Sequence, residues 1–194
     1  MKKIAEGITQ KLIEHQIVSE EDRAIYEYGF WQGMVLIVNT LSIMAFGLLL
    51  GMLWQSLVFT VAYSILRIYA GGYHAKTQGS CYILSMLLIT TALLAIKWVA
   101  WNALHCLIIT FLSGVIIFVL APVEDHNKPL DEIEQKEYRK RSILIYLCLF
   151  SATLAFLLIQ QIEISAVITV SISIASVMLV AGKVKNKINL NFHE

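Results

Sequence analysis

Residues 34–54 read MVLIVNTLSIMAFGLLLGMLW, a run without a formal charge. At about 1.5 Å per residue a helix of that length reaches about 32 Å, enough to cross the hydrocarbon layer of a bilayer. The pattern repeats outward from it. Segment 57–71 is apolar but short and ends in a region carrying Arg67, and 81–96 is apolar and only just long enough. Both read either as tilted spans or as partial, re-entrant helices. Segments 99–121, 143–162 and 164–182 contain no Lys or Arg and predict three further spans. With 58% hydrophobic and 15% charged residues in 194, the chain is more apolar than a soluble domain can bury. The expected fold class is an all-α integral membrane protein with about six membrane-embedded helices.

Before the first span, residues 1–33 place Ile4, Ile8 and Leu12 on one helical face among Lys3, Glu6, Lys11 and Glu14. This predicts an amphipathic helix in solvent or at the bilayer surface. Ser19 ahead of Glu20, Glu21 and Asp22 reads as a helix start. About thirty polar and charged residues precede the first apolar run, so no cleavable signal peptide is expected. The layout is therefore 1–33 as cytosolic or interfacial helices and 34–182 as one transmembrane domain with cytosolic loops at 67–80 and 122–142. Residues 183–194 follow as a cytosolic tail. Orientation rests on the bases: Lys2, Lys3, Lys11 and Arg23, then Arg67 and Lys76, then Lys128 to Arg141, then Lys183, Lys185 and Lys187 fall on one side after six crossings, with Lys97 alone opposite. A net charge of +1 gives no general preference for nucleic acid or acidic partners.

Chemistry concentrates at 67–81, where Arg67, Gly71, Gly72, His74, Gly79 and Cys81 meet at a membrane boundary. In one continuous helix His74 and Cys81 would be two turns apart, about 10 Å, too far for a base and its nucleophile. Gly71 and Gly72 can end one helix, and Gly79 with a positive φ would fold the chain back before Cys81 opens the next. A cysteine opening a helix has its thiolate favoured by the dipole. The plain alternative is an interfacial histidine and a packed cysteine with no joint role. Arg67 either snorkels to lipid phosphate, the simpler reading, or binds a carboxylate or developing negative charge. Cys106 beside His105 points away from it on a helix, and Cys148 has no base in reach, so both read as packing. No cysteine spacing supports a disulfide framework, a redox pair or a zinc site, and no metal or cofactor is expected.

The elements Arg67-x-x-Ala70-Gly71-Gly72-x-His74-Ala75 and Cys81, with Ala121-Pro122 and Lys128-Pro129-Leu130 in the next loop, resemble the accessory gene regulator protein B (AgrB) family. These are multi-pass cell-membrane endopeptidases that process quorum-sensing propeptides in Gram-positive bacteria. The resemblance implies Cys81 as nucleophile and His74 as general base, with Arg67 and Gly72 at matching positions and Gln78 and Ser80 as candidate support or oxyanion contacts. It also implies an AgrD-like propeptide whose charged tail would meet Lys128, Lys136, Arg139 and Lys140. Membrane lipid is the other expected partner, a homodimer is left open, and nucleic acid is not expected. This loop departs from the family in its many acids, among them Glu124, Asp125, Asp131, Glu132, Glu134 and Glu137. A peptide transporter or a non-catalytic membrane adaptor is the competing class, although no repeat and no charge within 34–54 or 99–121 favours transport.

Overall fold

A computed structural model describes residues 2–73, 75, 77–124 and 130–191, without the side chains of 78 and 189–191. The described residues are helical, in the order α1 (Lys2–Glu14), a 3-10 turn at Glu20–Asp22, α2 (Arg23–Leu49), α3 (Leu53–Ala70), α4 (Gln78–Trp98), α5 (Ala103–Leu120), α6 (Glu132–Leu158) and α7 (Ile162–Asn191). Five of these, α2 and α4 to α7, are long and apolar enough to cross a membrane. The sixth, α3, has 18 residues, about 27 Å of helix, and carries Gln55 and Arg67 within that length. Of the two segments left open by the sequence, 81–96 is thus inside a span-length helix, whereas 57–71 is the shorter one.

Several boundaries differ from the sequence expectation for identifiable reasons. The run 34–54 is not one helix: Met52 N–H donates to Gly47 O (2.7 Å) and Gly51 N–H to Leu48 O (3.0 Å), with Gly51 at φ +67°. This left-handed glycine termination closes α2 and assigns Trp54 to α3. Loop 122–142 is shorter than expected, because Asp131 accepts from the Glu134 amide and the Glu134 carboxylate returns to the Asp131 amide. That reciprocal cap starts α6 eleven residues before the apolar run, and its Asp-x-x-Glu signature is legible in the sequence. The tail, similarly, continues α7 to Asn191.

The molecule divides into two compact units, 1–46 and 47–194. In the first, α1 buries Ala5 and Thr9 and leaves Ile4 and Ile8 exposed. Ser19 caps the 3-10 turn by accepting from the Asp22 amide, as expected from its position. Arg23 ties the unit together by donating to Glu20, Glu27 and Gln10.

In the second unit α7 is the hub, packed against α3, α4, α5 and α6. Its buried face alternates apolar and small polar residues, including Val167, Thr169, Ile172, Ala175 and Leu179. Such small side chains let helices approach closely where no water drives them together. The Thr110 and Thr169 hydroxyls pair at 3.0 Å, and buried Tyr146 donates to Thr110 O at 3.2 Å. The ends of α3, α5 and α7 and the start of α6 converge, which gathers Arg67, Arg139, Arg141 and Lys185 at one end of the unit. At the opposite end Gln55 donates to Glu163 at 2.9 Å.

Candidate functional site

Helix α3 ends because Gly71 (φ +74°) and Gly72 (φ +115°) adopt backbone conformations that residues with a Cβ rarely hold. The chain leaving α3 is then held from three directions. Val123 N–H donates to Ala70 O (2.9 Å) and Gly72 N–H to Val123 O (3.0 Å), which makes an isolated parallel bridge between Gly71 and Val123. From α7, Met178 O accepts from the Tyr73 amide at 2.8 Å. The third hold comes from Arg67, whose guanidinium donates to Gly71 O at 2.6 Å and also to Tyr73 O.

Among the described residues Arg67 therefore bonds carbonyls rather than a carboxylate. Its fork turns back onto the backbone of its own loop, a preference that carbonyl geometry explains and apolar patterning does not reveal. Gly72 is required for the same reason: a Cβ there would run into the Arg67 guanidinium and Met178 O.

Helix α4 opens after this strap. Thr77 accepts from the Ser80 amide at 3.2 Å and its hydroxyl also pairs with that of Ser80. Ser80 is thus engaged in the helix cap. Gly79 lies within the first turn of α4 and has no positive φ, so it does not fold the chain back as the sequence suggested. The reversal belongs to Gly71 and Gly72, because the Thr77 cap already starts the helix before Gly79.

Cys81 follows in that first turn, where its N–H donates to Thr77 O at 3.0 Å and its side chain is exposed. Amides at the start of a helix have no carbonyl partner within it, so this end suits negative charge. Tyr63, one turn before Arg67 on α3, is stacked on Phe59 with ring centroids 5.6 Å apart. Among the described residues of α4 none before Ile89 is fully buried, though Leu84, Ser85, Met86 and Leu88 are half-buried, so the cysteine stands on the less packed half of its helix. His74, Lys128 and the Gln78 side chain lie outside the described residues.

The basic residues of α6 separate into different roles. Arg139 donates to Phe118 O (2.9 Å) and Ala121 O (3.3 Å), closing the C-terminal end of α5. Lys136 and Lys140 are exposed. Arg141 bonds Glu137 at 2.9 Å and lies over the Tyr69 ring, and Lys185 of α7 lies over the Tyr73 ring. Cys106 is fully buried, as a packing role requires, whereas Cys148 is exposed on α6 rather than packed within the chain. The described residues hold no cluster of metal-ligating side chains. Sequence reasoning missed Val123, Met178 and Gly182, which contact the strap from distant segments.

The family description Accessory gene regulator B matches residues 3–179. The chain belongs to the accessory gene regulator B family. A putative AgrB-like protein of Clostridium perfringens is 28% identical over 179 residues, covering 84% of this chain and 83% of the relative. One of Halalkalibacterium halodurans is 29% identical over 142 residues, covering 73% and 70%. An accessory gene regulator protein B of Staphylococcus intermedius is 26% identical over 124 residues, covering 60% and 64%. No solved structure matches the chain. Membership in the AgrB family, with its span-length apolar helices, makes this a multi-pass membrane protein of accessory gene regulator quorum sensing, a system in which the family's partner is the AgrD propeptide.

Proposed function

We propose that this AgrB-family chain is a cysteine endopeptidase that removes the C-terminal tail of an AgrD-like propeptide and promotes closure of the signal ring. Cys81 attacks the carbonyl preceding the tail, forming a thioester as the peptide C–N bond breaks. His74 accepts the thiol proton and delivers it to the leaving amine. An internal Cys or Ser of the propeptide then attacks the thioester carbonyl, which forms a thiolactone or lactone and returns the Cys81 thiol. Thioester exchange retains the activation of the carbonyl, so no nucleotide is required.

The observation that carries this reading is the exposed Cys81 in the first turn of α4, directly after the strap, in a chain of this family. The basic end of the helical unit faces the cytosol of a Gram-positive cell under this proposal, with loops 67–80 and 122–142 and both termini on that side. Residues 34–182 act as one catalytic domain, and exposed Lys136 and Lys140 are the candidate tail contacts that remain free of the α5 cap.

Co-expression with a candidate propeptide, followed by mass spectrometry, tests this. Tail release and a thioester at Cys81 are expected in the parent protein and absent from Cys81→Ala and His74→Ala. Tail release by Cys81→Ala would reject the peptidase assignment and leave transport or scaffolding as the account.

A further inference from the structure

We propose that Arg67 and Gly182 are positioning residues that clamp the Gly71-Gly72-Tyr73 backbone between Val123 and α7, and so fix the point from which the chain continues to Cys81. This inference rests on the reading of Cys81 as the nucleophile.

Three observations carry it. The Arg67 guanidinium spends two of its donors on the carbonyls of Gly71 and Tyr73, either side of Gly72. A planar fork can reach two carbonyls of one loop at once, which a lysine ammonium does less well. Both intervening amides are also taken, Gly72 N–H by Val123 O and Tyr73 N–H by Met178 O. The backbone of the strap is therefore bound at both amides and at both flanking carbonyls, and little freedom remains between Ala70 and Tyr73.

Gly182 is the counterpart on α7. A Cβ there would come within 2.6 Å of Gly72 C, 2.7 Å of Tyr73 N and 2.9 Å of Gly72 Cα. All three are backbone atoms, so the strap itself would have to move. The residues beside Arg67 anchor the other end: Leu66 and Ala70 are buried in the core with Val123, Ala175 and Leu179. A shift of the strap would displace the chain that continues from Tyr73 to Cys81. Displacements of about 1 Å from a reactive geometry cost about a hundredfold in rate.

Hydrogen exchange with mass spectrometry on the full chain, beside steady-state tail release from a propeptide probe, tests the clamp. Arg67→Lys and Gly182→Ala should each raise exchange at Gly72 and Tyr73 by about tenfold or more, with residues 166–179 of α7 unchanged. The same variants should lower kcat by about a hundredfold while KM stays within about threefold. Loss of turnover with Gly72 and Tyr73 still protected would overturn the proposal, because Arg67 would then act on the substrate directly. Unchanged turnover despite lost protection, or protection retained in both variants, would overturn it as well. Should Gly182→Ala open the α7 core, Arg67→Lys, which adds no volume at the contact, decides. Tail release by Cys81→Ala would instead reject the peptidase reading, and exchange at Gly72 and Tyr73 would report on the strap separately.

Discussion

Helices α7 and α4 are similarly apolar, yet 67% of the apolar stretch of α7 is buried within the protein and only 22% of that of α4. The difference lies in which residues interrupt the apolar run. In α7 the interruptions are Ser165, Thr169, Ser171 and Ser176, small enough to pack against four neighbouring helices and bonded to carbonyls or, for Thr169, to the Thr110 hydroxyl. In α4 the first three turns carry Cys81, Tyr82, Ile83 and Leu87 outward with Leu84, Met86 and Leu88 only half-buried, and full burial begins at Ile89. One helix is scaffold throughout. The other is scaffold in its second half and presents the candidate nucleophile from its first.

The largest effect that could break this division is on activity. Cys81→Ala should reduce tail release by at least about a thousandfold, while thermal unfolding in detergent stays close to the parent. A large loss of stability would mean that the first half of α4 is packed after all. Next in size is a pair of truncations read by the same unfolding measurement. Leu179→Ala, at a fully buried site, should cost about 2–4 kcal/mol, and Ile83→Ala, 63% exposed, less than about 0.5 kcal/mol.

Removing the cap sharpens the contrast within α4. Thr77→Ala should cost about 1 kcal/mol and raise exchange at the Ser80 amide, whereas Thr77→Ser keeps the hydroxyl and should behave as the parent. The smallest effect is at the junction before α7, where Gln160 holds φ +61° and ends α6 in the same manner as Gly51 ends α2. Gln160→Gly should raise stability by about 0.5 kcal/mol, the relief of left-handed strain outweighing the added freedom of the unfolded chain. A loss would show that the Gln160 side chain contributes to the junction.

Most of the helices were legible because length and charge are local properties. Each of the six apolar segments lies mainly within one helix, and Cys81, Arg67 and the paired glycines stand out from their place at a boundary. The errors also have local causes. Reading 34–54 as continuous ignored Gly51, whose left-handed conformation stops α2 although every neighbour is apolar. Single-residue chemistry does not tell which of several glycines takes positive φ, and the reversal falls to Gly71 and Gly72 rather than Gly79. The cap at Asp131 is present as Asp-x-x-Glu, a signature that the mixed charge of the surrounding loop obscures.

By itself the sequence determined the membrane solvent, the apolar helices and the motif that points to the family. Those follow from transfer free energies and residue chemistry, which act along the chain one segment at a time. What Arg67 does was decided only by the tertiary structure, since its partners are carbonyls that become available once Gly71 and Gly72 turn. Likewise Val123, Met178 and Gly182 joined the site through close backbone approach between the segment after α5, α7 and the strap. Backbone hydrogen bonds carry no side-chain signature, so packing had to bring these segments together before their role existed.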